Sequence, residues 1–151
     1  MPTFAPRRLL LALPFVLAAC GDPPDDSPLG KDFAALAAKP ELAPRVKIQH
    51  ALIAFVGAKR GSEAKRDFPQ AVALTEDLLQ KARAGADFAA MVKQYSYDSP
   101  DGIYTLDAAN RGTYAEHFVT VAFRLAVGEV GVAPFHRSKS PFGFHLIKRL
   151  E

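Results

Sequence analysis

RVKIQHALIAFV, residues 45–56, is the stretch on which the fold turns. Its apolar residues Ile48, Leu52, Ala54 and Val56 recur on one parity, the two-residue period of a half-buried β-strand, and His50 shares that face. An imidazole aimed at a core needs a polar partner. A matching stretch stands at the far end of the chain, SPFGFHLIKRL at residues 140–150, strand-like again, with His145 on the parity of Ile147. Two histidines inside two apolar strands predict that those strands meet in one sheet. Everything between them is then the crossover.

That crossover reads as helices separated by polar turns. GAKRGSEAKR (residues 57–66) is a polar loop with Lys59, Arg60, Lys65 and Arg66, either simply solvated or bordering a groove that favours acidic peptides. From Asp67 the period becomes helical: Leu74, Leu78 and Ala82 form a stripe widened by Leu79, with Asp67 as start signal and Gly85 as stop. A second helix starts at Asp87, since Phe88, Met91, Val92 and Tyr95 fall at i, i+3, i+4 and i+7. SYDSPDG (residues 96–102) ends it with turn chemistry. A third helix is expected over residues 114–125, with Phe118, Ala122 and Leu125 on one side, before Gly128 and Gly131 return the chain to an extended form.

The start of the chain is of another kind. MPTFAPRRLLLALPFVLAAC has Arg7 and Arg8, an apolar run over residues 9–19 and then Cys20. A run that short cannot span a hydrocarbon core, which takes about 20 residues, so it reads as a secretory signal. LAAC, ending in the chain's one cysteine, resembles the lipobox of bacterial lipoproteins, in which that cysteine is lipidated; the alternative is an ordinary signal peptide followed by a free thiol. GDPPDDSPLG (residues 21–30) then reads as an extended spacer, residues 31–39 as a short helix, and Pro40 and Pro44 as breakers before the first strand. The expected organisation is a leader at 1–19, a lipidated Cys20 and spacer to residue 45, and a folded domain over 46–151.

Composition narrows the classes of function. The 151 residues, 49% apolar and 23% charged, suit one ordinary globular domain. The 19 basic residues include Arg7 and Arg8, so without the leader 17 face 16 acidic residues, a balance that gives no basis for a nucleic-acid partner. There is no phosphate-binding glycine loop, HExxH, paired-cysteine metal site or nucleophile elbow. His50, His117, His136 and His145 lack the close spacing of a metal site, and no metal or other cofactor is expected. A hydrolase using Ser138 or Ser140 with His50 or His145 and Asp98 is formally possible but has no motif behind it.

Four segments carry a resemblance when taken in order: IQHALI (48–53), GADFAAMVKQYSYD (85–98), RGTYAEHFVTVAFRLAVGEVG (111–131) and SPFGFHLIK (140–148). Together they resemble the parvulin-type peptidyl-prolyl cis-trans isomerases. The resemblance implies an α+β fold, a four-stranded antiparallel sheet surrounded by about four helices, with the first and last strands side by side at its centre. It also implies a polar cluster of His50, Asp98, Ser140 and His145, and an apolar proline pocket lined by Leu106, Tyr114 and Phe118. The partners would be unfolded or proline-containing exported polypeptides, met at the surface of a bacterial envelope membrane to which Cys20 tethers the domain.

One segment departs from the family pattern. In GIYTLDAAN (residues 102–110) the usual glycine-rich stretch is reduced to Gly102, and Ala109 stands where an aromatic lid is expected, leaving Tyr104 as a possible lid. The alternative to an active isomerase is therefore a catalytically weak or inactive chaperone-like lipoprotein that binds extended chains. A purely structural envelope lipoprotein would share the anchor without needing the paired histidines.

Overall fold

A computed structural model describes residues 25–151. The expected leader, Cys20 and the first residues of the spacer lie outside these described residues. The element order is α1 (Pro28–Ala37), β1 (Arg45–Ile53), α2 (Phe68–Arg83), α3 (Phe88–Tyr95), β2 (Ile103–Asp107), α4 (Glu116–Ala122), β3 (Val130–Ala133) and β4 (Phe144–Arg149). The strands form one antiparallel sheet in the order β2-β1-β4-β3. The two histidine strands are thus the central pair, with His50 opposite Ile147 and Leu52 opposite His145.

Both faces of β1 are covered, a correction to the half-buried strand read from its alternation. Ala51 and Ile53 face a core shared with Leu78, Leu79, Phe88 and Val92 of α2 and α3, while Val46 and Ile48 face one shared with Leu36 of α1 and Phe118, Val121 and Ala122 of α4. Each large aliphatic side chain so buried contributes about 1.5–3 kcal/mol. The strand also ends at Ile53, earlier than the apolar run, and Val56 stands exposed in the loop beyond it.

The caps explain the helix boundaries. Asp67 accepts from the Gln70 amide while the Gln70 side chain returns to Asp67, a reciprocal pair that starts α2, and Asp87 starts α3 by accepting from Ala90 N–H. The helix expected over 114–125 is shorter, running Glu116–Ala122 after a 3-10 turn at Arg111–Thr113.

A second correction concerns the spacer. Residues 28–30 are helical, not extended, because Ser27 caps α1 by accepting from Gly30 N–H at 3.1 Å and Pro28 occupies the first helical position, where no amide donor is needed. Leu29, only 2% exposed, reaches the core, and Asp32 pairs with Arg83 of α2 at 2.8 Å. Helix α1 also lies tightly on β3, since a Cβ at Gly131 would fall 2.6 Å from Leu36 Cδ1. No helix among the described residues is long and apolar enough to cross a membrane.

Candidate active site

The site begins with the pairing of β1 and β4, which puts two imidazoles side by side on the face of the sheet toward α4. His50 is 2% and His145 5% exposed, and their Nδ1 atoms lie 3.5 Å apart. Phe118 of α4 closes over them, its ring edge-on to His50 at 5.0 Å and to His145 at 5.1 Å between centroids. Burial, with the neighbouring His50 adding to it, pushes the His145 pKa down to about 3, so this ring is neutral at physiological pH.

The carboxylate arrives from the turn after α3. Ser96 Oγ accepts from the amides of both Leu52 and Asp98, at 3.1 and 3.2 Å, and Tyr97 N–H donates to Leu52 O at 2.9 Å. The turn is thereby tied to β1 two residues beyond His50. Asp98 Oδ2 then lies 3.2 Å from His50 Nε2 and accepts from the Tyr104 hydroxyl at 3.1 Å, while Oδ1 takes Arg60 Nη1 at 2.8 Å. The hydrogen bond from His50 above all, helped by Tyr104 and Arg60, holds the Asp98 carboxyl well below the usual carboxylate range. Burial beside Asp98 pushes the Tyr104 phenol the other way, up from its ordinary value.

Gly102 closes the same turn. Its φ is +62°, its carbonyl accepts from His50 N–H at 2.9 Å, and a Cβ there would collide with the His50 carbonyl. Only glycine meets both demands.

Above these groups is a cleft of about 250 Å³. Leu52, Tyr104, Tyr114, Ala115, Phe118 and Phe142 supply apolar wall, and Arg60, Asp98 and Thr113 a polar side. Tyr114 stacks on Phe118 at 5.6 Å and meets Tyr104 edge-on at 5.9 Å. The volume is below the roughly 300–1,000 Å³ of sites for drug-sized ligands and suits one side chain.

The residues singled out from sequence divide accordingly. His50, His145 and Asp98 come together, and Tyr114 and Phe118 line the cleft. Ser140 makes no hydrogen bond to them: its backbone pairs in both directions with His136, which closes a turn, and its buried Oγ has no hydrogen-bond partner among the described residues. Leu106 is also corrected, since it is wholly buried opposite Val46 in the core beneath and does not line the cleft. Tyr104, expected as a lid, stands on strand β2 with its hydroxyl held by Asp98, so it is a fixed wall. Ala109 lies in the turn after β2, its amide donating to Asp107.

The four basic residues separate as well. Arg60 borders the cleft, and Lys59 and Arg60 both lie over the Phe142 ring at 5.4 Å. Arg66 donates to Ala54 O and covers Tyr97, and Lys65 is exposed. Sequence reasoning missed Ser96 and Phe142 as parts of the site. The Tyr-Ser pair before Asp98 and the first aromatic of SPFGF were the available signals. No group of three metal-ligating side chains occurs among the described residues.

Comparison with known proteins gives a consistent picture. The sequence model of the PPIC-type PPIASE domain matches residues 33–151. Peptidyl-prolyl cis-trans isomerase pin4 of Neurospora crassa is 35% identical over 72 residues, 48% of this chain and 55% of that protein. Foldase protein PrsA 4 of Bacillus cereus is 35% identical over 75 residues, covering 48% of this chain and 25% of that one. The chain thus spans about half or less of the length of these relatives. Among solved structures, the PPIase domain of TBPAR42 is similar at 28% identity with a TM-score of 0.57, over 70% of this chain and 99% of that domain.

Proposed function

The chain belongs to the PPIC-type PPIase family, and on that premise we propose that it is a peptidyl-prolyl cis-trans isomerase whose reaction takes place in the cleft over His50 and His145. The observation that carries this reading is the small aromatic-walled cleft on a floor of two buried, paired histidines. Rotation about an X-Pro bond is slow because it breaks amide resonance, a barrier of about 18–20 kcal/mol. No bond is made or broken, so the protein has only to bind the twisted state better than the planar one.

The twisted amide has lost its charge separation and is less polar than the planar form. A dry pocket of Leu52, Tyr114, Phe118 and Phe142 favours it, each tenfold acceleration needing about 1.4 kcal/mol of such preference. Asp98, ionised and fixed by His50, Tyr104 and Arg60, sets a negative charge at the polar side of the cleft. That charge disfavours the polarised carbonyl oxygen of the planar amide more than that of the twisted one. The role of the histidines is to hold this geometry, not to attack the substrate.

The substrates follow from the cleft: proline-containing polypeptides, with any preference for an acidic residue before proline resting on Lys59 and Arg60. The LAAC stretch supports lipidation at Cys20 and action on exported chains at a bacterial envelope, and a relative named as a foldase agrees with a folding role. Incorporation of labelled fatty acid, lost in Cys20→Ser, tests the anchor. A second reading, a binding module without turnover, is favoured by Ala109 at the place expected of an aromatic lid.

The deciding experiment is cis-to-trans isomerisation of short X-Pro peptides by the full chain, comparing wild type with His50→Ala and Tyr114→Ala. Acceleration that falls about tenfold or more in folded variants is the expected result. No acceleration by folded wild type for any X, together with suppression of aggregation of an unfolded protein, would replace the enzyme with the binding module.

A further inference from the structure

Beside the cleft, and separate from its lining, an open groove of about 770 Å³ is floored by rings. Phe55 meets Phe68 edge-on at 5.1 Å and Phe135 at 4.9 Å, with Phe144 beneath. Phe68, the first residue of α2, is 46% exposed, and Val56 next to Phe55 is 62% exposed. The charged residues lining the groove, Lys59 and Arg137, are both basic. The floor is rigid, because Phe55 itself is buried and its ring neighbours lock it in place.

Groove and cleft share one ridge. Lys59 N–H donates to Pro141 O at 2.9 Å, and Lys59 Nζ lies 5.4 Å from the centre of the Phe142 ring. Pro141 belongs to the groove and Phe142, the next residue, to the cleft. A polypeptide leaving the cleft over Phe142 therefore meets an aromatic groove with Phe68 exposed and a basic rim.

We infer that this groove is a second polypeptide subsite, taking an aromatic or large aliphatic side chain with an acidic neighbour from the same client whose X-Pro bond occupies the cleft. The inference rests on the isomerase reading of the cleft for its substrate, and on continuity and charge for its occupant. Aromatic side chains seated on a preformed apolar floor are the contacts that dominate peptide affinity, and an acidic flank pairs with Lys59 and Arg137.

The test uses the full chain and two variants outside the cleft, Phe68→Ser and Arg137→Glu, the second at an exposed side chain, with circular dichroism confirming that both are folded. Three quantities are measured: anisotropy of a labelled proline-free peptide carrying Phe and Asp, kcat/KM for a short X-Pro tetrapeptide, and kcat/KM for a longer X-Pro peptide ending in that Phe-Asp segment. The expected result is that both variants keep short-peptide turnover and lose about tenfold in proline-free peptide affinity and in the advantage of the long substrate. Equal binding of the proline-free peptide by wild type and both variants overturns the subsite. Self-association of wild type that Phe68→Ser abolishes also overturns it, giving the face to a second copy. Absence of short-peptide turnover in wild type strikes instead at the isomerase reading, and anisotropy still decides the groove.

Discussion

His50 and His145 face each other Nδ1 to Nδ1 at 3.5 Å, and Nε2 of His50 is turned to Asp98. His145 stays neutral because charging it would place a cation in the core. Its folded-state pKa of about 3 lies below the ordinary 6.5, so the unfolded chain binds the extra proton first. Stability is then fully present above pH 6.5 and is lost as pH falls from there toward 3. His117, shifted down by burial, adds to the same slope, and Asp98, shifted down by its partners, extends the loss below the usual carboxylate range. Urea unfolding at pH 7.5, 5.5 and 4.5 should give falling midpoints, with a smaller fall in His145→Gln. A flat profile over that range contradicts the assignment.

Gly102→Ala should destabilise the chain by about 1–3 kcal/mol or more, since the residue needs both a positive φ and room against the His50 carbonyl. Gly85→Ala is the control, because it carries the φ penalty with nothing within 4 Å of its Cβ. Urea midpoints of the pair separate strain from collision, and only Gly102→Ala should lower turnover as well.

Ser96→Ala removes an acceptor used by two amides, Leu52 and Asp98. A loss of about 1–3 kcal/mol is expected. Because Asp98 loses its tether, turnover should fall more than stability alone explains. Circular dichroism at the assay temperature, showing a folded variant with lowered kcat, checks this.

Tyr104→Phe keeps the wall and removes the hydroxyl from Asp98, whereas Tyr104→Ala removes both. If the apolar wall is the larger factor, the first change costs about threefold in kcat/KM and the second about tenfold or more. Equal losses would show that the hydroxyl's hold on Asp98 matters more than the ring.

Much of this architecture could be read from local pattern. β1 and β4 were legible because their apolar residues alternate around a histidine, and α2 and α3 because Asp67 and Asp87 are caps set before helical periodicity. Strand β2 was hidden: it is an edge strand of five residues, IYTLD, in which Leu106 alone is fully buried, so it reads as loop. α1 begins in a proline-aspartate run that looks extended until Ser27 is recognised as a cap. Ser140 is fixed by a hydrogen-bonded turn with His136, which the sequence pattern does not show. Arg60 was one of four similar cations until tertiary contact with Asp98 distinguished it.

The central pairing of β1 with β4 has a consequence in time as well as in space. His50 and His145 are 95 positions apart, and the strand that carries the second follows every helix of the described residues. Closing so long a loop is entropically costly and slow compared with forming α2 or α3. A chain synthesised or exported from its N-terminus has α1 to α4 available before the cleft has a floor. Cut anywhere between Phe118 and Phe144, it keeps Asp98, Tyr114 and Phe118 but cannot assemble them into a site.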